Sequence, residues 1–360
     1  MIPIYMPWLG KEELKNVAEC ISTGWVSSKG EFVRRFERDM ARYIGKNYGV
    51  ATSSGTTALH LALVTLGIKS GDEVIVPTLT FVASANAVVY TGAKPVFVDS
   101  HPKYWCIDPE LIEKKITKRT KAIIAVHLYG HPCDMDAIMD IAKRRGLYVV
   151  EDVAEAQGAT YKGKKAGTFG DISCFSFFGN KVITTGEGGM CLTDDRGLNE
   201  RMRILRDHGM NPEKRYWHDV VGFNYRMTNL QAALGVAQLG KIDTILDKKR
   251  AVAGLYNRGL ANSKVMLPPK ESWAEPVMWI YTVLVENRDE IMLELDQAGV
   301  DTRPMFYPVH LFPPYREEGE YPIAMRLSSM GVSLPSSSNL KKSDIEKICK
   351  VISENSVPTP

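Results

Sequence analysis

The sequence predicts an α/β fold, because short apolar runs alternate with helical patterns between about residues 50 and 200. Four runs have the length and composition of buried strands: DEVIVP (72–77), KPVFVD (94–99), KAIIAVHL (121–128) and GLYVVED (146–152). Helix-start signals separate the runs, as is typical of parallel strands joined by helices. We therefore expect a mostly parallel sheet that is covered by helices on both faces.

Capping residues mark the predicted helix boundaries. Asp108 stands before a proline, the order expected where aspartate caps a helix and proline takes its first position. The segment DMDAIMDIAKRRG (134–146) should begin on its first or second aspartate and end at its glycine. Farther along the chain, Asn287 and Glu290 have the spacing of a capping box.

The pattern changes after about residue 240, which predicts a second, smaller domain. Residues 241–263 are typical of one long connecting helix, residues 278–287 of a strand and residues 288–299 of a helix. We therefore predict a large domain over residues 1–240 and a small C-terminal α+β domain over residues 241–360.

Composition argues against several classes of protein. The 45 basic and 42 acidic residues give a net charge of only +3, and no arginine-rich stripe is present, so we expect no nucleic-acid partner. No apolar run is long enough to span a bilayer, and charged residues from Lys11 onward interrupt any secretory signal, so we expect no membrane association. Six scattered cysteines without a C-x-x-C pair indicate reduced thiols, a cytoplasmic location and no metal site.

One lysine stands out in the segment FSFFGNKVITTGEGGM (175–190). Lys181 lies between aromatic residues and a cluster of threonines and glycines. Most lysines are solvated surface charges, which is the ordinary interpretation of this one too. Where the surroundings desolvate the ammonium, however, the neutral amine is favoured and can attack a carbonyl group.

A second segment, ATSSGTTALHLALVTLG (51–67), predicts a helix whose start could bind an anion. Small hydroxylated residues precede Gly55, and the apolar residues after it have helical spacing. Free N–H groups and the helix dipole favour an anion there, and glycine permits its close approach. An ordinary capped helix is the alternative.

Two further residues complete the pattern. Asp152 ends the predicted strand GLYVVED, and ligands of α/β sheets lie beyond such strand ends. Its carboxylate could bind a ribose, a metal ion or a protonated ring nitrogen, or simply cap a helix. Ser176 could add a hydroxyl to the anion site. Together, an anion site, a carboxylate and an amine are the three features that pyridoxal 5′-phosphate (PLP) requires.

The order and the residues of several segments resemble those of the sugar-nucleotide aminotransferases, the DegT/StrS-type branch of the fold type I PLP-dependent enzymes. The similar segments run nearly end to end: GWVSSKGEFVRRFE, SSGTTALHLAL, VPTLTFVASANAV, AVHLYGHPCDMDAI, EDVAEAQGA, FSFFGNKVITTGEGGM, GFNYRMTNLQAALG and TRPMFYPVHLFPPY. The resemblance implies a seven-stranded sheet in the large domain. It also implies a homodimer or a dimer of dimers with active sites at the subunit interface.

The resemblance also implies roles for individual residues. Lys181 would bond to PLP and carry the proton during the reaction, and Asp152 would pair with the ring nitrogen. The phosphate would be held by Gly55, Thr56 and Ser176. Additional cofactor contacts are implied for three more residues. Phe81 would lie against the cofactor ring, although it could instead be a core aromatic, and Asn224 would reach the cofactor of the neighbouring subunit. Glu155 stands where many relatives have glutamine or histidine.

Substrate contacts are implied more loosely. Tyr307 and His310 are candidates for the sugar pocket, although His310 could equally be a core histidine. Arg226, Arg206 and His208 could face the nucleotide diphosphate, although surface ion pairs would explain them as well.

The implied reaction moves the amino group of L-glutamate to C4 of a nucleotide-linked 4-keto-6-deoxy sugar. The segments SFFGNK and RPMFYPVH favour GDP-4-keto-6-deoxy-D-mannose, an O-antigen precursor of lipopolysaccharide, as the acceptor. A UDP- or dTDP-linked keto sugar is the alternative. Related sugar dehydratases have histidine in place of Lys181, and an inactive regulatory relative should have lost Asp152, Ser176 or Lys181, so these two alternatives are less consistent with the sequence.

Overall fold

The apolar runs form one large and two small β-sheets in the computed structural model, which describes residues 1–357. The helices are α1 (Lys11–Thr23), α2 (Glu31–Ile44), α3 (Gly55–Thr65), α4 (Ala83–Tyr90), α5 (Pro109–Lys115), α6 (Met135–Arg145), α7 (Arg196–Arg206), α8 (Asn229–Leu239), α9 (Ile242–Leu260), α10 (Arg288–Gln297), α11 (Pro322–Met330) and α12 (Lys342–Asn355). The strands are β1 (Tyr48–Thr52), β2 (Glu73–Pro77), β3 (Lys94–Val98), β4 (Thr120–Val126), β5 (Tyr148–Asp152), β6 (Thr160–Tyr161), β7 (Lys164–Lys165), β8 (Ile172–Ser176), β9 (Gly189–Thr193), β10 (Ala274–Glu275), β11 (Tyr281–Leu284), β12 (Arg303–Pro304) and β13 (Gly331–Leu334).

The large sheet has seven strands in the order β1-β9-β8-β5-β4-β2-β3. The five strands β8, β5, β4, β2 and β3 pair in parallel, whereas β9 runs antiparallel to both β8 and β1. The carboxyl ends of β1, β5 and β8 therefore meet at one edge of the sheet, which brings Thr52, Asp152 and Ser176 to the same side. The predicted α/β fold with a mostly parallel sheet is confirmed.

Helices cover both faces of this sheet. Successive residues of each strand point to opposite faces, so one strand can contribute side chains to two hydrophobic clusters. Cys174 of β8 belongs to one hydrophobic cluster and its neighbour Phe175 to another, as do Val50 and Ala51 of β1. The sheet is therefore buried between two layers, which explains why its strands are almost continuously apolar.

The predicted strand and helix boundaries agree closely with the structure. The four strands inferred from apolar runs are β2, β3, β4 and β5. Asp108 caps α5 by accepting a hydrogen bond from the Glu110 N–H, and Asp134 caps α6 in the same way through the Ala137 N–H. Gly146 ends α6 in the left-handed conformation, with φ of 65°.

Residues 281–334 supply a three-stranded antiparallel sheet, β11-β13-β12, which packs with α9, α10 and α12 around its own hydrophobic cluster. Helix α9 contributes Leu246 to a cluster of the large sheet and Tyr256 to the cluster of the small one, so it connects the two. The division into residues 1–240 and 241–360 stays a prediction, and residues 358–360 lie outside the described part of the chain.

The predicted capping box at the start of α10 is wrong. Asn287 accepts no backbone hydrogen bond from this helix; instead its amide donates to the Glu290 carboxylate and to the Asn355 carbonyl. The side chain thus links α10 to the end of α12. Within residues 1–357, no helix is both long and apolar enough to cross a membrane.

Candidate active site

A cavity of about 360 Å³ opens at the carboxyl edge of the large sheet. Ligands of parallel α/β sheets bind at this edge, because helices begin there and strand ends place polar side chains side by side. Seven of the residues proposed from the sequence line the cavity: Gly55, Thr56, Phe81, Asp152, Glu155, Ser176 and Lys181. Segments that are far apart in the sequence therefore converge on one space.

The first turn of α3 forms the anion-binding side of the cavity. Ser54 caps the helix by accepting a hydrogen bond from the Thr57 N–H at 3.2 Å. The N–H groups of Gly55 and Thr56 have no acceptor among the described residues and are free to bind an anion. A Cβ on Gly55 would lie only 2.7 Å from the Ser176 Cβ, so the close approach of the helix to β8 requires glycine.

Asp152 lies buried at the end of β5. One carboxylate oxygen accepts a hydrogen bond from the Ser84 hydroxyl at 2.8 Å, and the other accepts one from the Ala154 N–H at 3.1 Å. Burial raises the pKa of this carboxyl, and the hydrogen bond from Ser84 opposes the rise. A cation bound beside Asp152, such as a protonated ring nitrogen, would lower its pKa and hold it ionised.

Glu155 lies one turn beyond Asp152 and is also buried. Its carboxylate accepts a hydrogen bond from the Tyr129 N–H at 2.6 Å. Burial raises its pKa to about 7, and the nearby Lys181 ammonium opposes this shift. Glu155 therefore changes charge near neutral pH, which a glutamine at this position would not do.

Lys181 follows a turn between β8 and β9 and extends into the cavity. Its Nζ lies 3.6 Å from the centroid of the Trp279 ring, and among residues 1–357 it forms no ion pair with a carboxylate. Burial lowers the pKa of the ammonium, while Glu155 and Asp152 act in the opposite direction. The fraction of neutral amine near pH 7 is therefore larger than for a solvated lysine.

These residues fit PLP on the observations given above. The free N–H groups at the start of α3 and the Ser176 hydroxyl are hydrogen-bond donors that suit its phosphate. Glycine at position 55 keeps this space open, since a Cβ there would fill the gap between helix and strand. The buried carboxylate of Asp152 suits a pyridinium nitrogen, and the uncompensated amine of Lys181 suits an aldehyde. The side chain of Phe81, which is 55% exposed, lines the same cavity.

Tyr307 and His310 do not line the cavity. Tyr307 is 52% exposed, whereas the preceding residue, Phe306, contributes to the cavity wall. His310 is buried; its Nδ1 lies 2.7 Å from the Thr78 hydroxyl and its ring packs on Tyr321. These are the contacts of a core histidine, the alternative that the sequence left open, and a role in sugar binding stays a prediction for both residues.

The candidates for binding a diphosphate have protein partners. Arg206 pairs with the buried Glu37, and Arg226 pairs with Asp207 and contacts the His208 ring at 3.3 Å. Ion pairs therefore account for these side chains in the single chain, and their contact with substrate stays a prediction.

Asn224 is exposed and lies outside the cavity wall. This position agrees with a role at a neighbouring subunit, a role that also stays a prediction.

Sequence reasoning missed several residues of the site. Ser84, which holds Asp152, carries only a weak signal in its place at the start of a helix after a strand. Trp279, Phe306 and Phe178 also line the cavity. Trp279 lies in a segment that has the composition of a strand, and nothing in the local pattern indicates that its ring reaches Lys181.

Comparison with known proteins places these residues in context. Residues 7–353 match the model of the DegT/DnrJ/EryC1/StrS aminotransferase family. The chain is 48% identical over 357 residues to the GDP-perosamine synthase of Escherichia coli O157:H7, and 47% identical over 362 residues to that of Caulobacter vibrioides. Each alignment covers 98% of both chains.

The fold is similar to that of a solved aminotransferase. The structure of S. venezuelae DesV superposes with a TM-score of 0.91 at 39% identity, covering 95% of this chain and 94% of the other.

Proposed function

The chain belongs to the DegT/DnrJ/EryC1/StrS aminotransferase family, and from this premise we propose that it moves the amino group of L-glutamate to C4 of GDP-4-keto-6-deoxy-D-mannose. The chain is a PLP-dependent sugar aminotransferase. The product proposed here is GDP-perosamine, a precursor of lipopolysaccharide O-antigen. The main support for the named sugar is the near-full-length identity of 48% and 47% to two GDP-perosamine synthases.

The observation that carries the chemistry is the convergence of Lys181, Asp152 and the α3 anion site on one cavity. When bound, PLP supplies an aldehyde for amines and a ring that takes up the electron pair of a neighbouring C–H bond. The residues of the chain supply binding, orientation and proton movement around that ring.

Lys181 moves the proton. Its Nζ is buried and has no ion-pair partner among the described residues; burial lowers the pKa of this amine, which favours the neutral form that accepts a proton from a substrate carbon. The same nitrogen then returns the proton when the amino group is placed on the keto sugar. The two half-reactions use one site in turn, so we expect ping-pong kinetics.

The other residues of the site hold and orient the cofactor. Asp152, fixed by Ser84, keeps a ring nitrogen protonated, because a buried carboxylate is satisfied best by a cation. The free N–H groups of Gly55 and Thr56 and the Ser176 hydroxyl bind phosphate and fix its position. Phe81 lines the same space.

We further propose a homodimer or a dimer of dimers with active sites at the subunit interface. Asn224 supports this arrangement, because it is exposed and does not line the cavity of its own chain. We also place the reaction in the cytoplasm. The six cysteines support this location, since all are buried and unpaired, as expected in a reducing compartment.

The proposal is tested with ¹⁵N-labelled glutamate and three acceptors supplied separately: the GDP-, UDP- and dTDP-linked 4-keto-6-deoxy sugars. Mass spectrometry and NMR of the products should find ¹⁵N on C4 of the GDP-linked sugar, with a kcat/KM at least about tenfold above that for the other two. Preferential labelling of a UDP- or dTDP-linked sugar would refute the guanosine assignment. Labelling at C3 would refute the position.

A further inference from the structure

Trp279 contacts the reacting amine from the side of the small sheet. Besides placing its ring 3.6 Å from the Lys181 Nζ, it donates its indole N–H to the Asn180 carbonyl at 2.7 Å. One indole therefore touches both the amine of Lys181 and the backbone that precedes this residue. The Tyr5 hydroxyl donates to the Lys181 carbonyl at 2.8 Å, so the backbone is also held on its other side.

Lys249 fixes the backbone of Trp279. Its Nζ donates to the Trp279 carbonyl at 3.0 Å and to the Ser336 carbonyl at 2.9 Å. Only 3% of Lys249 is exposed, and no carboxylate among residues 1–357 pairs with it. Burying an ammonium without a counter-ion is costly, and burial lowers the pKa of Lys249 to about 7; the two hydrogen bonds offset part of this cost.

The neighbours of Lys249 on α9 show that burial is particular to this position. Lys248 and Arg250 are exposed, and Arg250 pairs with Asp247 one turn earlier. Lys249 alone among these three neighbours faces inward. Through its two hydrogen bonds it connects α9 to the segment before β11 and to the segment after β13. It does so directly behind the indole that contacts Lys181.

We propose that Trp279 is a further catalytic residue, whose indole face holds the amine of Lys181 in the cavity, and that Lys249 is the positioning residue that fixes Trp279. The proposal rests on the role of Lys181 in the proposed function. An aromatic face attracts an ammonium but not a neutral amine, so Trp279 stabilises the protonated form that burial disfavours.

The charged groups that face Lys181 are the carboxyls of Asp152 and Glu155, on β5 and the loop that follows it. Trp279 lies on a different segment from both carboxyls, and its ring stacks on Tyr129, whose N–H binds the Glu155 carboxylate. Lys249 is faced by the ring of Tyr5, whose centroid is 5.1 Å from its Nζ, and by the two carbonyls it binds. Trp279→Phe, which keeps an aromatic ring beside Tyr129, is therefore the comparison for the contribution of the indole.

The test uses the full-length protein without cofactor or substrate. The rate at which trace acetic anhydride acetylates Lys181 is measured against pH by peptide mass spectrometry, which gives the pKa of this one amine. We expect Trp279→Leu to lower that pKa by about one unit, since a desolvated cation–π contact is of this size. Trp279→Phe, which keeps a smaller aromatic face, should lower it less.

Lys249→Met should lower the pKa of Lys181 in the same direction, because the indole loses its support. Arg250→Met is the matched control, one residue along α9, and should leave the pKa unchanged. Circular dichroism and thermal unfolding establish that each variant is folded. If Lys249→Met does not fold, Trp279→Leu and Trp279→Phe still decide the contribution of the indole.

An unchanged Lys181 pKa in a folded Trp279→Leu protein would overturn the role of the indole. An unchanged pKa in folded Lys249→Met would overturn the role of the anchor. Because this measurement involves no transamination, its failure is separate from a failure of the ¹⁵N-transfer experiment. That experiment tests the reaction and the acceptor alone.

Discussion

Replacing Gly55 by alanine tests whether α3 must approach β8 closely to form the anion site. The added Cβ would lie 2.7 Å from the Ser176 Cβ and 3.1 Å from its hydroxyl oxygen. Carbon atoms in contact prefer roughly 3.5–4.0 Å, so helix and strand must separate. Overpacking of this kind costs about 1–3 kcal/mol, or roughly 5- to 150-fold in affinity if it falls entirely on cofactor binding.

Spectrophotometric titration of the cofactor-free protein with PLP measures this loss, together with thermal unfolding. Gly179→Ala is the matched control: it is also a glycine beside the cavity, but a Cβ there meets no heavy atom within 4 Å. We expect Gly55→Ala to weaken PLP binding at least about tenfold, and Gly179→Ala to leave it nearly unchanged.

A second substitution tests the cause. Ser176→Gly removes the Cβ that the alanine would strike, so the unfolding free energies of the two single variants and the double variant should show a coupling of about 1–3 kcal/mol. Wild-type PLP affinity in Gly55→Ala, or equal effects of the two alanine variants, would refute the reasoning. The absence of coupling to Ser176 would show that the strain lies elsewhere.

Three further predictions follow from the site. Lys181→Ala should retain PLP less firmly and lose at least about 100-fold in kcat, because no other amine can move the proton; near-normal turnover contradicts this role. Burial raises the pKa of Glu155 from 4.5 to about 7, so its protonated form contributes stability below pH 4.5 that is lost as pH rises towards 7. Glu155→Gln removes this pH dependence. The unfolding free energy of the variant minus that of wild type should therefore increase between about pH 5 and about pH 8, by at most about 3 kcal/mol. The same difference at both pH values would contradict this prediction. His310→Ala should lower stability by about 1–3 kcal/mol, with the KM for the keto sugar within about twofold of wild type, whereas a large rise in KM would support a place in the sugar pocket.

The sequence predicted those site residues whose chemical type is distinctive and whose position is marked by the local strand or helix pattern. Asp152 ends a strand and Gly55 begins a helix, and the sequence pattern predicts both positions, whereas Ser176 ends β8, a strand that the pattern did not predict. Because parallel strands end at one edge, the pattern also predicts that these residues meet. Lys181 was found through its unusual neighbours, and it does lie in the same cavity.

The residues that were missed depend on long-range packing. Trp279 lies 98 positions beyond Lys181 and contacts it from the segment before β11, whose backbone accepts a hydrogen bond from Lys249. Such a contact leaves no periodic signal in the sequence. The wrong capping box at Asn287 has a similar cause, since its side chain binds the Asn355 carbonyl at the end of α12 and the Glu290 carboxylate rather than a backbone N–H of α10.

The central claim is that the amine of Lys181 is the one that bonds to the cofactor. Treating the PLP-loaded protein with sodium borohydride fixes the cofactor to its lysine, and peptide mass spectrometry then identifies that residue. We predict a single label on Lys181, which is absent if glutamate is added first to convert the cofactor to its amine form. A label on Lys249, the other buried lysine in this region, or a label that glutamate does not prevent, would contradict the account.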